Sequence, residues 1–154
     1  AHFDGTAWKI SHVDTQGDVG ADASIAVDAK GNPHIAYVDQ KLDVLKYAWF
    51  EGSAWKIVKL DTKGTVGLYT SIFLDDQQRP WVWYYEMIGN KVRYMHYLGN
   101  NKWDEQTFSL AGLKIYTGDL ILDAVGNVHF SYYWEKDKDL RYAIVCSALQ
   151  QLKE

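Results

Sequence analysis

Apolar residues in this chain fall in short runs separated by Gly, Asn and Asp, the pattern of strands and hairpins rather than helices. SIAVD (24–28), PHIAYVD (33–39), LKYAWF (45–50) and AWKIVKLD (54–61) form one set. SIFLD (71–75), PWVWYYE (80–86), VRYMHY (92–97) and KWDEQTFS (102–109) form a second; DLILD (119–123), VHFSYYW (128–134) and LRYAIV (140–145) begin a third. The sets are copies at a spacing of roughly 47 residues. Trp8, Trp55 and Trp103 recur, as do Ser24, Ser71 and Asp119, then Asp28, Asp75 and Asp123, then Tyr37, Tyr84 and Tyr132, then Tyr47, Tyr94 and Tyr142. A strand-rich repeat of about 40–50 residues predicts the blades of a β-propeller.

The patterning also ranks the strands. The first strand of each repeat is apolar on both parities (Ile25, Ala26, Val27; Ile72, Phe73, Leu74; Leu120, Ile121, Leu122), which predicts an inner strand covered on both faces. The Trp strand alternates, with Trp55, Ile57 and Val58 against Lys56 and Lys59, which predicts an outer one. Asp28, Asp75 and Asp123 precede the inner turn, where an aspartate caps backbone amides. AKGN and AVGN supply Gly there and DQQR does not, which predicts a different turn in the middle repeat.

The expected fold is therefore all-β, a β-propeller with three four-stranded blades per chain. The divisions are an outer strand at 3–14, repeats at about 21–61, 68–109 and 116–147, and a short polar tail at 148–154. The chain opens on a Trp strand and its third repeat lacks one, the offset by which propellers close. Three blades make half a ring. A second copy related by a twofold axis would complete six blades, each chain's first strand finishing the other's third blade. The rival reading is a piece of a longer propeller.

Composition narrows the function. Aromatic residues make up 15%, with 7 Trp and 11 Tyr, which favours strands and ring-lined binding surfaces. A net charge of −4 argues against nucleic acid and anionic membranes as partners. Cys146 is the single cysteine, so no internal disulfide forms. No cofactor is expected. No HExxH pattern, Cys/His cluster or phosphate loop is present, and AKGN offers too few oxygens for calcium, so no metal is expected either. His34 and His129 share a repeat position two blades apart and are read as packing residues.

The string VGxxxSIAVDxxGNPHIAY, followed by LKYA and GxxW, resembles repeats of bacterial sialidase-like and related propeller proteins, many of them at the cell surface. Gly5-Thr6-Ala7-Trp8 and Gly52-Ser53-Ala54-Trp55 are similar to a Gly-x-x-Trp element of small lectins that build six-bladed rings from several short chains; Gly99-Asn100-Asn101-Lys102-Trp103 departs from it. The resemblance implies a secreted or cell-surface location and sugar recognition.

Candidate ligand residues lie at the end of the sheets where the second strand finishes and the first begins. Asp39, Glu86 and Trp134 follow the repeat Tyr by two positions; Asp22, Tyr69 and Thr117 form the other set, with Tyr116 beside them. Rings stack on sugar C–H faces and carboxylates accept hydroxyl hydrogen bonds. Asp22, Asp39, Tyr69, Glu86, Tyr116 and Trp134 are thus the expected glycan contacts of a lectin-like, non-catalytic module. The alternative is a polysaccharide-acting hydrolase or lyase using Asp39, Glu86 and Asp22, since two carboxylates flanking a sugar suffice for glycoside cleavage. A structural or assembly propeller is the third reading. Arg79, Arg93 and Arg141 are too dispersed for sialidase chemistry, and Arg93 and Arg141 align with Lys46 as expected solvated positions.

Overall fold

The computed structural model describes residues 1–62, 69–86, 88–89, 91–109, 115–123 and 127–145. Leu68, Cys146, the tail 148–154 and most of the AVGN turn lie outside them, as do the side chains of Tyr116 and Thr117. Every regular element among the described residues is a strand: β1 (His2–Phe3), β2 (Trp8–Lys9), β3 (Val19–Val27), β4 (Pro33–Asp39), β5 (Val44–Glu51), β6 (Ala54–Asp61), β7 (Ser71–Leu74), β8 (Pro80–Glu86), β9 (Lys91–Gly99), β10 (Lys102–Ser109), β11 (Ile115–Leu122), β12 (Val128–Trp134) and β13 (Asp139–Val145).

Each repeat folds into an antiparallel meander. The first sheet is β3-β4-β5-β6, the second β7-β8-β9-β10, and the third is three-stranded, β11-β12-β13. No sheet among the described residues closes on itself. β1 and β2 form a separate hairpin in which Phe3 pairs with Trp8, just as Phe50 pairs with Trp55 in the first sheet. The inner strands stand side by side. Ile72 N–H donates to Ser24 Oγ (3.2 Å) and Ser71 Oγ donates to Asp119 Oδ1 (2.9 Å), which explains the recurring Ser, Ser and Asp.

The core lies between sheets, and β8 shows how. All seven of its residues are buried. Val82 and Tyr84 pack with Ala36, Val38, Leu45 and Tyr47 of the first sheet. Trp81, Trp83 and Tyr85 pack with Val128, Phe130 and Tyr132 of the third. Successive side chains of a strand point to opposite faces, so a strand between two sheets must be apolar throughout. The first strand of that repeat is covered on both faces too, with Ile72 packed towards the first sheet and Phe73 towards the third, so the enclosure the patterning suggested for it extends to the second strand. Ile25 of β3 is 62% exposed, because among the described residues no sheet neighbours the first sheet's outer face. On the far side, Tyr142 and Leu140 are exposed, the latter at 81%.

The inner turns correct a second expectation. Gly31 N–H donates to Asp28 C=O (2.9 Å) and Gln78 N–H to Asp75 C=O (2.8 Å), so the middle turn has the same form. Gln78 adopts the left-handed backbone (φ 61°) that Gly31 adopts elsewhere (φ 84°). Its side chain offsets that strain by accepting the Ala29 N–H at 2.6 Å, which ties two sheets together. The Asp caps are as expected: Asp28 accepts the Lys30 and Asn32 amides, Asp75 those of Gln77 and Arg79, and Asp123 that of Asn127.

Candidate functional site

Asp39 ends β4, Glu86 ends β8 and Trp134 ends β12, so the repeat brings these positions to the same end of neighbouring sheets. The backbone there is irregular. β3 shifts register against β4 between Val19 and Ala21 and again between Ala21 and Ser24. Asp22 (φ 47°) and Tyr69 (φ 66°), one repeat apart, are both left-handed, a conformation that costs non-glycine residues energy. Asp22 is exposed, and Tyr69 is partly buried, with its ring stacked on Tyr85 at 6.4 Å.

Asp39 is 0% exposed. Lys46, on the adjacent strand, lies 2.8 Å from Asp39 Oδ2 and 3.1 Å from Asp14 Oδ2, and donates to Gln16 C=O at 3.2 Å. Tyr37 OH donates to Asp14 Oδ2 at 2.8 Å, and Leu42 N–H to Asp39 Oδ1 at 3.1 Å. The 14–18 segment straps across this cluster. Gly17 is required there twice over: its φ is 110°, and an added Cβ would sit 2.8 Å from Asp39 Oδ2. Lys46 is 4% exposed, so the expected solvated position is a buried cation compensated by two carboxylates.

The second repeat builds the same cluster with different groups. Tyr84 OH donates to Asp61, Arg93 Nε to Glu86, and Arg93 also to Glu105 Oε1 at 2.6 Å; Arg93 lies 3.8 Å from Asp61 Oδ2. Asp14 and Asp61 stand one repeat apart. Asp61 ends the outer strand of the first sheet yet binds Tyr84 of the second, so it latches neighbouring sheets. The recurring Tyr hydroxyl thus meets a carboxylate rather than a backbone group. In the third repeat Arg141 pairs with Asp137 and Asp139 and lies over the Trp134 ring at 5.0 Å.

Electrostatics follow the contacts. The Lys46 ammonium beside Asp39 holds its carboxyl below the usual range, against burial. Burial pushes Asp14 up, but the Gln16 amide, Tyr37 hydroxyl and Lys46 ammonium outweigh it and the net shift is down. Burial and the neighbouring Asp14 or Asp61 push the Tyr37 and Tyr84 hydroxyls up. None of this suits a group that must exchange protons near neutrality.

The opposite end of the sheets is aromatic. His34 Nδ1 contacts Tyr47 OH at 2.5 Å while Nε2 lies 3.7 Å from Asp28; His129 Nδ1 contacts Tyr142 OH at 2.7 Å, with Nε2 3.1 Å from Asp123. The middle repeat replaces this with His96 stacked on Trp81 at 3.7 Å, its Nε2 3.5 Å from Asp75. Among the described residues no three His, Cys, Asp or Glu side chains gather to hold a metal ion. A groove of about 670 Å³ opens here between the first and second sheets, with Trp49, Tyr97 and Trp103 in its lining. Repeat alignment singled out none of these three as ligand positions, because the groove is made by two sheets.

Burial lowers the proton affinity of His34 against the pull of Asp28, and that of His96 with Arg79 adding to the effect. A base with a depressed native pKa contributes stability that fades as pH falls. The urea midpoint is expected to drop first as pH falls below about 6.5, the ordinary histidine value, and again below about 4, as Asp14, Asp39 and Asp75 lose their depressed-pKa advantage. A flat profile between pH 7 and 5 would contradict the buried neutral histidines.

No protein-family model matches the chain, and no curated protein matches it. Among solved structures it is similar to an exo-beta-1,3-galactanase from Phanerochaete chrysosporium, solved with beta-1,3-galactotriose, at 9% identity and a TM-score of 0.57. The match covers 92% of this chain but only 38% of that one. That protein is a β-propeller. At such low identity the likeness is one of fold: the chain is an all-β array of antiparallel sheets arranged like part of a propeller.

Proposed function

We propose that the three sheets are blades of a carbohydrate-binding propeller module that does not cleave its ligand, and that a second copy completes a six-bladed ring. The observation that carries the non-catalytic reading is the internal engagement of Asp39 by Lys46 and of Glu86 by Arg93. An acid/base pair needs carboxyls that reach substrate and hold protons near neutrality. Sugar binding fits what stays accessible at that end, the exposed Asp22 and the partly exposed Tyr69 and Trp134, with Tyr116 as a further contact. The name of the structural neighbour and its galactotriose support carbohydrate as the ligand class and keep hydrolysis as the second reading.

The ring follows from the flanks. Ile25 and Val27 on one side, and Leu140, Tyr142 and Ile144 on the other, present apolar side chains to water. Tyr142 and Leu140 occupy the positions of Tyr94 and Val92, which the next sheet buries within the chain. Two such faces on one particle invite a partner.

Two measurements test this. Sedimentation equilibrium should give a particle of two chains, and Leu140→Glu should give one; a folded monomer at all dilutions would overturn the ring. A glycan array should show binding without turnover. Turnover abolished by Asp39→Asn or Glu86→Gln, in variants that still fold, would instead establish the hydrolase.

A further inference from the structure

We propose that the groove between the first and second sheets, at the end opposite Asp39 and Glu86, binds a neutral oligosaccharide. This rests on the carbohydrate-binding reading and adds a site on the other face. His34 and Asp39 lie at opposite ends of β4, about 17 Å apart at the rise of an extended strand.

The first observation is why the groove is open. At the next interface the residue equivalent to His34 is Trp81, whose indole lies flat on His96 at 3.7 Å. In the groove that pair becomes His34 with Trp49, its register partner across β4 and β5. The smaller imidazole turns inward to Tyr47, stacked at 5.9 Å and in contact through Nδ1. Space that an indole fills in one interface is left open in the other.

The second observation is a rigid set of rings. Trp49 stacks on Tyr47 at 5.2 Å and 15°, Trp103 meets Tyr47 edge-on at 5.5 Å and 72°, and Tyr97 packs on Trp103 at 5.2 Å. Tyr47 is buried, whereas Trp49, Tyr97 and Trp103 remain partly exposed. Rings held by one another lose little freedom when a ligand stacks on them.

The third observation is the charge at the rim. The Arg79 guanidinium is taken up by Asp75, at 2.8 Å through Nε and 2.7 Å through Nη2. Lys59 and Glu51 also line the groove, with Glu51 lying 3.9 Å from Lys56, and Gln77, Gln78 and Asn101 supply amides. With Arg79 taken up, the lining offers one lysine and one carboxylate rather than the cluster of cations that a phosphate or a uronic acid calls for. Partly exposed rings for C–H faces, amides for hydroxyls and a rim without a cationic cluster describe a neutral pyranose chain, and a volume of about 670 Å³ falls within the range of ligand sites.

The test is a titration of the ¹⁵N-labelled protein with beta-1,3-galactotriose, cellotriose and maltotriose, alongside a neutral glycan array. The expected result is saturable binding of at least one sugar, with the indole N–H signals of Trp49 and Trp103 shifting whether or not that of Trp134 also moves. Trp49→Ala and the exposed variant Gln77→Leu should each weaken binding tenfold or more, and Lys41→Ala, in the exposed loop after β4, should leave it unchanged. Gln77→Leu serves if Trp49→Ala does not fold. Sugar binding that moves only Trp134, or that both groove variants leave intact, would overturn the groove site while the carbohydrate reading stands. No binding of any neutral sugar would overturn both.

Discussion

Lys46→Met is expected to be among the most damaging single substitutions in the chain. It leaves Asp14 and Asp39 facing one another in a buried pocket without the cation that lies 3.1 and 2.8 Å away. Breaking a buried ion pair from one side costs about 3–5 kcal/mol, because the surviving charges are already stripped of water. For a domain of this size that corresponds to a fall of roughly 10 °C in Tm. The loss should shrink on acidification, as the stranded carboxyls take up protons, and Lys46→Arg should recover most of it, since Arg93 fills the same position in the second repeat. Thermal melts of the three proteins at pH 7 and pH 4 check this. A Lys46→Met protein that melts like its parent would show that the cluster is solvated.

Trp81→Ala should cost as much by another route. Trp81 is 3% exposed and touches Phe73, Tyr94 and His96 between the second and third sheets. Removing a buried indole leaves a cavity as well as losing its transfer free energy, about 3–5 kcal/mol in all. The recurring Trp makes the contrast. Trp8 is 68% exposed and Trp55 is only partly covered, packing edge-on against Phe50. Trp55→Ala should therefore cost roughly half as much. Urea unfolding with a single slope for all variants measures both. Equal losses for Trp81 and Trp55 would mean that the hairpin Trp is buried in a larger particle.

The two substitutions mark where one-dimensional reading stops. Alternation along β8 is absent from PWVWYYE because both faces are covered, and that much is visible in the string. Which face meets which sheet is not, since parity gives sides without neighbours. The Asp14/Asp61 and Lys46/Arg93 recurrences were present at repeat spacing, but Asp14 and Tyr37 lie far apart along the chain and nothing local links them. Asp39 likewise reads as a polar strand end until the 14–18 strap is seen to cover it. The groove is further still from the string, because it depends on the size difference between His34 and Trp81 and on how far two sheets diverge.

Local chemistry dictated the strands, their hairpin turns, the aspartate caps and the threefold recurrence, since each depends on contacts within a few residues or on backbone preference. Packing alone extended the enclosure to the second strand, paired Asp39 and Glu86 with cations, and opened a ring-lined groove between two sheets. Burial and charge pairing are properties of neighbours brought together from distant parts of the chain, and only the folded arrangement chooses those neighbours.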